Sequence, residues 1–249
     1  MLQDRRSGYV ACDACPWRRS DTFKAISPTD LAAVQEFKRD HITVPAGRTI
    51  IRREMKPTAF YTLFEGWAFR FATVNGGRQI FHFCLPGDLI AVQAPLTGRV
   101  PYTVQTLTDA TLCSFACDAV ESLFERHPRL GLEIARMVAA DAALMEIHLA
   151  TIGRRSAESR VAYLLAELYT RLRQRRMCTD NTCVLPLTQE HLADALGLST
   201  VHVSRMLRIL SDDGLARLDR GQLTIFDFNG LCHRAELNGE LDFAKPPLL

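Results

Sequence analysis

Leu187-Thr-Gln-Glu-His-Leu-Ala-Asp-Ala-Leu-Gly-Leu-Ser-Thr-Val-His-Val-Ser-Arg-Met-Leu-Arg-Ile-Leu-Ser-Asp-Asp-Gly214 is the stretch around which this chain is organised. It reads as two short helices and the turn between them. Thr188 caps the first helix, Leu192, Ala193 and Leu196 give it one apolar face, and Gly197 offers the positive φ at which it stops. Ser199 is the natural N-cap of the second helix. Its Val203, Met206, Leu207 and Leu210 recur at helical spacing, and Gly214 follows its last turn.

The polar side of the second helix makes the pattern informative. Ser199, Thr200, Ser204, Arg205 and Arg208 lie away from the apolar stripe, and Thr188, Gln189, Val201 and His202 complete a candidate DNA-contacting set. Hydroxyls and helix N-terminal amides position phosphates, whereas an arginine guanidinium reaches O6 and N7 of guanine in the major groove. An αα-hairpin with a solvated polar face would show similar spacing. The residues after Gly214 separate the two readings: Leu215-Ala216-Arg217-Leu218, a turn at Asp219-Arg220-Gly221-Gln222, and Leu223-Thr224-Ile225-Phe226 form a small hairpin, a wing. Arg171, Arg173, Arg175, Arg176, Arg205, Arg208, Arg217 and Arg220 concentrate positive charge near the helix pair.

This stretch resembles the winged helix-turn-helix of the cyclic-AMP receptor protein and fumarate-nitrate-reduction regulator (CRP/FNR) family. The resemblance implies an α+β chain with an N-terminal antiparallel β-roll that senses a signal, a long dimerisation helix and the C-terminal DNA-binding domain. It also implies a homodimer on a palindromic operator in double-stranded DNA, acting on RNA polymerase. The expected boundaries are 1–26 for an N-terminal Cys-x-x-Cys segment, 27–127 for the β-roll, 128–152 for the dimerisation helix, 153–229 for the DNA-binding domain and 230–249 for a tail.

The rest of the chain fits that plan. Ser27 to Arg39 reads as a capped helix, and from His41 to Phe115 the pattern changes to short β-rich runs punctuated by Gly47, Gly66, Gly76-Gly77, Gly87 and Gly98. Pro86-Gly87-Asp88-Leu89-Ile90 is similar to the family's Pro-Gly-Asp turn. Cyclic-AMP-binding members follow that turn with Gly-Glu and Arg-Ser pairs, which hold the ribose and the phosphate. Here Ala91-Val92-Gln93 and Val100-Pro101-Tyr102-Thr103 stand instead, so cyclic AMP is not the expected ligand. Cys117 to His127 predicts a short helix and Arg129 to Ile152 a long one. In the long helix Ile134, Val138, Asp141, Met145, His148 and Ile152 alternate by four and three, the spacing of a dimer seam; a helix packed on its own β-roll shows a similar stripe. Ile152 to Ser156 predicts a hinge, Ala157 to Arg173 a helix, and Arg175 to Pro186 a linker.

Cys12-Asp13-Ala14-Cys15 offers two thiolates to a shared metal or cluster, or to a reversible disulfide. FNR-type members add a cysteine at the place of Cys113, so the resemblance implies Cys12, Cys15 and Cys113 as ligands of an iron–sulfur cluster. The family's third N-terminal cysteine is missing: this chain has Ser20, Asp21, Thr22 and Phe23, leaving Asp21 or Cys117 as substitutes. Cys84, Cys178, Cys183 and Cys232 show no mutual ligand spacing and receive no role.

Composition closes off other classes. The 249 residues are 47% hydrophobic and 23% charged, which excludes disordered and fibrous chains, and no apolar run is long enough to cross a membrane. A cytoplasmic protein is the expectation. A net charge of +2 means that affinity for DNA must come from a local patch. The chain is read as no enzyme. The competing classes are a thiol–disulfide protein using Cys12 and Cys15, which lacks the strand and βαβ unit such enzymes place around the motif, and a cyclic-nucleotide module without DNA function.

Overall fold

The computed structural model describes residues 9–19, 23 and 25–237. Ser20, Asp21 and Thr22, and the tail beyond Leu237, lie outside the described residues, so the oxygen-ligand expectation for Asp21 falls there too. The described chain divides into two units. One runs through Ala72 and then His82–Ala142; the other takes Thr73–Phe81 and continues from Ala143.

The first unit opens with α1 (Pro16–Arg19) and α2 (Pro28–Phe37), the latter capped by Ser27, whose side chain accepts from the Asp30 amide at 3.1 Å. Eight strands follow in the chain, the Thr73–Phe81 part of β4 and β5 being counted with the other unit: β1 (Lys38–Val44), β2 (Thr49–Ile51), β3 (Ala59–Glu65), β4 (Ala68–Val74), β5 (Gly77–Cys84), β6 (Leu89–Ile90), β7 (Thr103–Thr106) and β8 (Ala110–Ala116), with the short helix α3 (Ala94–Thr97) between β6 and β7. They form two four-stranded sheets, ordered β1-β8-β3-β6 and β2-β7-β4-β5. Strand β8 is buried at every position and is paired along both edges, with β1 and β3. Phe60, Cys113, Phe115, Val34, Leu123 and Leu130 share one core. The Pro86-Gly87-Asp88 turn is anchored where the Leu85 amide donates to Asp88 Oδ2 at 2.8 Å and the Gly87 amide to the Leu63 carbonyl at 2.7 Å.

A 3-10 turn at Cys117–Ala119 leads into α4 (Val120–Arg126) and then α5 (Pro128–Arg154). Burial along α5 divides the residues expected at the dimer seam between an inward and an outward face. Leu130, Ile134, Leu144 and Thr151 are buried inside their own chain, Asp141 pairs with Arg70, and His148 sets Nδ1 against the Phe81 carbonyl and Nε2 against the Glu167 carboxylate, both at 3.2 Å, its ring N–H donating to these acceptors. Ile134, Asp141 and His148 therefore face inward. Val138 is exposed, while Met145 and Ile152 are half-buried. The outward apolar positions are shifted: Leu132 is 52% and Leu149 73% exposed, with Ala135, Ala139 and Ala142 exposed between them. A helix carrying two apolar stripes cannot reveal by periodicity alone which one faces its own core.

The second unit continues with α6 (Ala157–Gln174), capped by Ser156, then β9 (Cys178–Thr179), β10 (Thr182–Val184), α7 (Gln189–Leu196), α8 (Thr200–Asp212), β11 (Ala216–Asp219), β12 (Gln222–Ile225) and α9 (Phe228–Arg234). Its sheet is ordered β11-β12-β10-β9. The expected linker between Arg175 and Pro186 thus contains two strands, and Cys178 and Cys183, given no role above, are joined by a disulfide across them. Residues read as the start of a tail form α9, whose cap is Asp227.

Candidate DNA interface and cysteine cluster

The helix pair is built as its sequence dictates. Thr188 and His191 cap α7 reciprocally: the Thr188 side chain accepts from the His191 amide, and the Thr188 amide donates to His191 Nδ1 at 3.2 Å. Burial and the nearby Arg78 guanidinium lower the His191 pKa, which keeps Nδ1 free to accept. Gly197 ends α7 at φ 63, and Ser199 caps α8 by accepting from the His202 amide at 3.3 Å. Val203, Met206, Leu207 and Leu210 bury one face of α8 against the unit's core.

Every residue of the candidate DNA-contacting set is exposed: Thr188, Gln189, Ser199, Thr200, Val201, His202, Ser204, Arg205 and Arg208. The first-turn amides of α8, the hydroxyls of Ser199 and Thr200 and the guanidinium of Arg205 thus share its open side. Arg208 lies within 4.0 Å of Asp212, an exposed pair worth little and readily exchanged for a phosphate. The wing turn has positive φ at both Arg220 (47) and Gly221 (75), the geometry that matches the twist of a two-residue hairpin. Arg217 and Arg220 are exposed on that wing.

Charge near the helix pair is less available than the sequence suggests. Arg171 and Arg175 are buried, Arg171 bonding Glu167 at 2.7 Å while Arg175 donates to the Arg171 carbonyl. These two hold α6 together and cannot reach a phosphate. Glu167, buried between His148 and Arg171, escaped the sequence reading because a lone glutamate on a helix resembles any solvated one.

The cysteines assemble in the first unit. Cys12, Cys15 and Cys113 line one small cavity together with Trp17, Arg18, Lys38 and Thr62. Trp17 pins the N-terminal segment there by donating from Nε1 to the Phe64 carbonyl at 2.8 Å, and Phe23 packs with Trp17 edge to face. Burial pushes the Cys12 thiol up and the Cys113 thiol up to about 12, with Lys38 opposing the rise at both. Cys117 begins the 3-10 turn and does not line this cavity, though it packs against the core that holds Cys12 and Cys113. His41 sits opposite Cys113 in the β1–β8 register, with Nε2 3.3 Å from its Sγ. Burial and Lys38 hold its pKa at about 4, so the ring is neutral. Only the strand pairing reveals this neighbour, since 72 positions separate the two residues. Among the described residues no group of three His, Cys, Asp or Glu side chains is set to hold a single metal ion.

Comparison with known proteins places both units. Residues 159–234 match the Crp-like helix-turn-helix domain, and residues 41–127 match the cyclic nucleotide-binding domain. The chain is 28% identical to the nitrogen fixation regulation protein FixK of Bradyrhizobium diazoefficiens, over 87% of this chain and 90% of that protein. It is also 28% identical to the transcriptional activator protein FnrL of Cereibacter sphaeroides, over 90% and 91%. Among solved structures, FixK2 from Bradyrhizobium japonicum superposes with a TM-score of 0.71 at 21% identity, covering 82% of this chain and 98% of that one. A CRP/FNR-family transcriptional regulator from Thermus thermophilus gives 0.65 at 20%, covering 80% and 100%. At those identities the structures attest the fold.

Proposed function

The chain belongs to the CRP/FNR family as a DNA-binding transcriptional regulator of FNR type, and from that premise we propose that it works as a homodimer on a palindromic operator. The two copies of α8 enter successive major grooves about one helical turn, roughly 34 Å, apart. The observation that carries this is the open face of α8, where nothing apolar but Val201 interrupts a run of hydroxyls and guanidinium groups. Arg205 reads a guanine, Ser199 and the α8 amides hold phosphate, and Thr200 and Ser204 flank the reading position. Val201, 77% exposed, stands where the family commonly carries a base-reading glutamate. It has no acceptor for an amino group but packs on a thymine methyl, so the half-site differs from the family's usual one. The exposed α5 stripe from Leu132 to Leu149 is the surface that pairs the protomers in this reading, and the reading includes a contact with RNA polymerase, which the name transcriptional activator given to FnrL supports.

Selection from random duplexes tests this reading. Enrichment of an inverted repeat with that spacing supports it; recovery of unenriched sequence would reject it.

The signal is read at the cysteines. Cys12, Cys15 and Cys113 are the residues that would hold an iron–sulfur cluster, and Arg18 and Lys38 would balance its negative charge. The neutral His41 ring, with Nε2 3.3 Å from Cys113 Sγ, is the described side chain that would complete the set. When bound, the cluster supplies sensitivity to oxygen or redox poise. Cyclic AMP is not the ligand in this reading, because Ala91-Val92-Gln93 and Val100-Pro101-Tyr102-Thr103 stand where Gly-Glu and Arg-Ser pairs would hold its ribose and phosphate.

A further inference from the structure

Cys178 and Cys183 oppose each other in the β9–β10 register and are joined by a disulfide. The two are only 5 positions apart, and the turn between them is already made by Asp180 at φ 53. Cross-linking so short a loop removes less chain entropy than closing a long one would. Leu185, Leu187 and Leu223 are buried.

What the bond does is tie an edge. β9 pairs with β10 at two positions, Thr179 with Thr182 and Cys178 with Cys183. β10 in turn pairs with the wing strand β12, where Cys183 opposes Leu223 and Val184 opposes Gln222. Asn181 Nδ2 donates to the Ile225 carbonyl at 2.7 Å, the Ile225 amide returns a bond to the Asn181 carbonyl, and the Leu185 amide donates to the Gly221 carbonyl in the wing turn. Thr188, the cap of α7, follows three residues after Leu185 in the chain. The ring therefore sits beside both parts of the DNA-binding face.

A DNA-binding protein works in the compartment that holds the DNA, where thiol buffers such as glutathione ordinarily keep cysteines reduced. Access is asymmetric: Cys178 is half-buried, whereas Cys183 is 2% exposed. A small thiolate can attack the Cys178 sulfur; the S–S bond breaks, and Cys183 leaves as a thiolate that takes up a proton. A second small thiol then displaces the first from Cys178, giving two protein thiols and one small-molecule disulfide; oxidation by that disulfide runs the same steps backward.

We propose that Cys178 and Cys183 form a reversible redox site that sets the order of the wing sheet and, through it, the affinity for DNA, tight when oxidised and weaker when reduced. The affinity part rests on reading the wing and α8 as the DNA-binding face. It is distinct from the Cys12, Cys15 and Cys113 cluster, which lies in the other unit.

The full chain is equilibrated in glutathione buffers from oxidising to reducing, quenched in acid and alkylated, and the 178–183 peptide is weighed by mass spectrometry. The same samples are followed by amide exchange and by titration with the selected duplex. The disulfide fraction should fall within that range, with exchange at the Leu185 and Ile225 amides speeding about five-fold or more on reduction. Affinity should weaken about five-fold, and the Cys178→Ser/Cys183→Ser double variant should match the reduced protein at every poise. A disulfide intact at every poise, one that never forms, or exchange indifferent to it would overturn the proposal. A pair that titrates and alters exchange in a protein with no duplex preference would support the redox site and overturn the DNA reading instead.

Discussion

Asp141 of α5 grips Arg70 of β4 with both carboxylate oxygens, at 2.7 and 2.6 Å, tying the long helix to the strand beneath it. Arg70 is 5% exposed and lies over the Tyr102 ring. Burial pushes the Asp141 carboxyl up, but hydrogen bonds from Arg70 and its charge outweigh that, and the carboxyl ends below the usual carboxylate range. Replacing Asp141 with Asn leaves a buried guanidinium without its countercharge. The expected cost is about 2 to 3 kcal/mol in urea unfolding, less than for a fully buried pair because the Asp141 side chain is 35% exposed.

The same pair sets a pH dependence. The folded state holds Asp141 ionised below the pH at which the unfolded chain protonates it. Its stabilisation is therefore complete above the ordinary carboxylate range and is lost as pH falls through its lowered native value. Thermal midpoints on the acid side should fall less steeply in Asp141→Asn than in the native chain, and parallel slopes would contradict the assignment.

Gly87, lacking a Cβ, lets Phe23 lie over the Pro-Gly-Asp turn. A Cβ there would stand 2.2 Å from the Phe23 ring at a backbone φ of 94. Gly87→Ala should displace Phe23, costing about 1 to 3 kcal/mol, and should make Cys15, which packs with Phe23, several-fold more reactive to alkylation. Unchanged alkylation would show that the N-terminal segment is held without Phe23.

Leu132 and Leu149 should be the residues that join two protomers. A Leu149→Glu chain is expected to sediment as a monomer where the native chain sediments as a dimer, and its affinity for a palindromic duplex should fall with it. The Ile134→Ala chain should instead lose stability, by about 2 to 5 kcal/mol, since Ile134 is buried in its own core.

Protein purified without oxygen should carry iron and acid-labile sulfide, and Cys113→Ala and Cys12→Ala should each lose both. His41→Ala should lower the iron content while leaving the far-ultraviolet circular dichroism unchanged. Full iron loading in all three variants would separate the cysteine cavity from the signal.

Much of this was legible because local rules and tertiary packing agree in the DNA-binding half. Thr188, Gly197, Ser199 and Gly214 mark their helix ends wherever they occur, and the stripe Val203, Met206, Leu207 and Leu210 has only one core to face. The inward face of α5 was not legible, because both Ile134 and Leu132 sit in apolar rows and only the sheet beneath decides between them. Arg171 and Arg175 were misread as surface charge, since their partners Glu167 and a backbone carbonyl carry no pattern. Cys178 and Cys183 needed the strand pairing, and His41 the register with Cys113, before either could be seen.

The most direct measurement is the affinity of the native and Arg205→Ala chains for the selected duplex and for single-base variants of its half-site. Arg205→Ala should cost about 1 to 3 kcal/mol on the preferred duplex and should erase the preference at one guanine while leaving the other positions discriminated. An equal loss on every sequence would make Arg205 a phosphate contact and contradict the reading of α8 as the element that recognises bases.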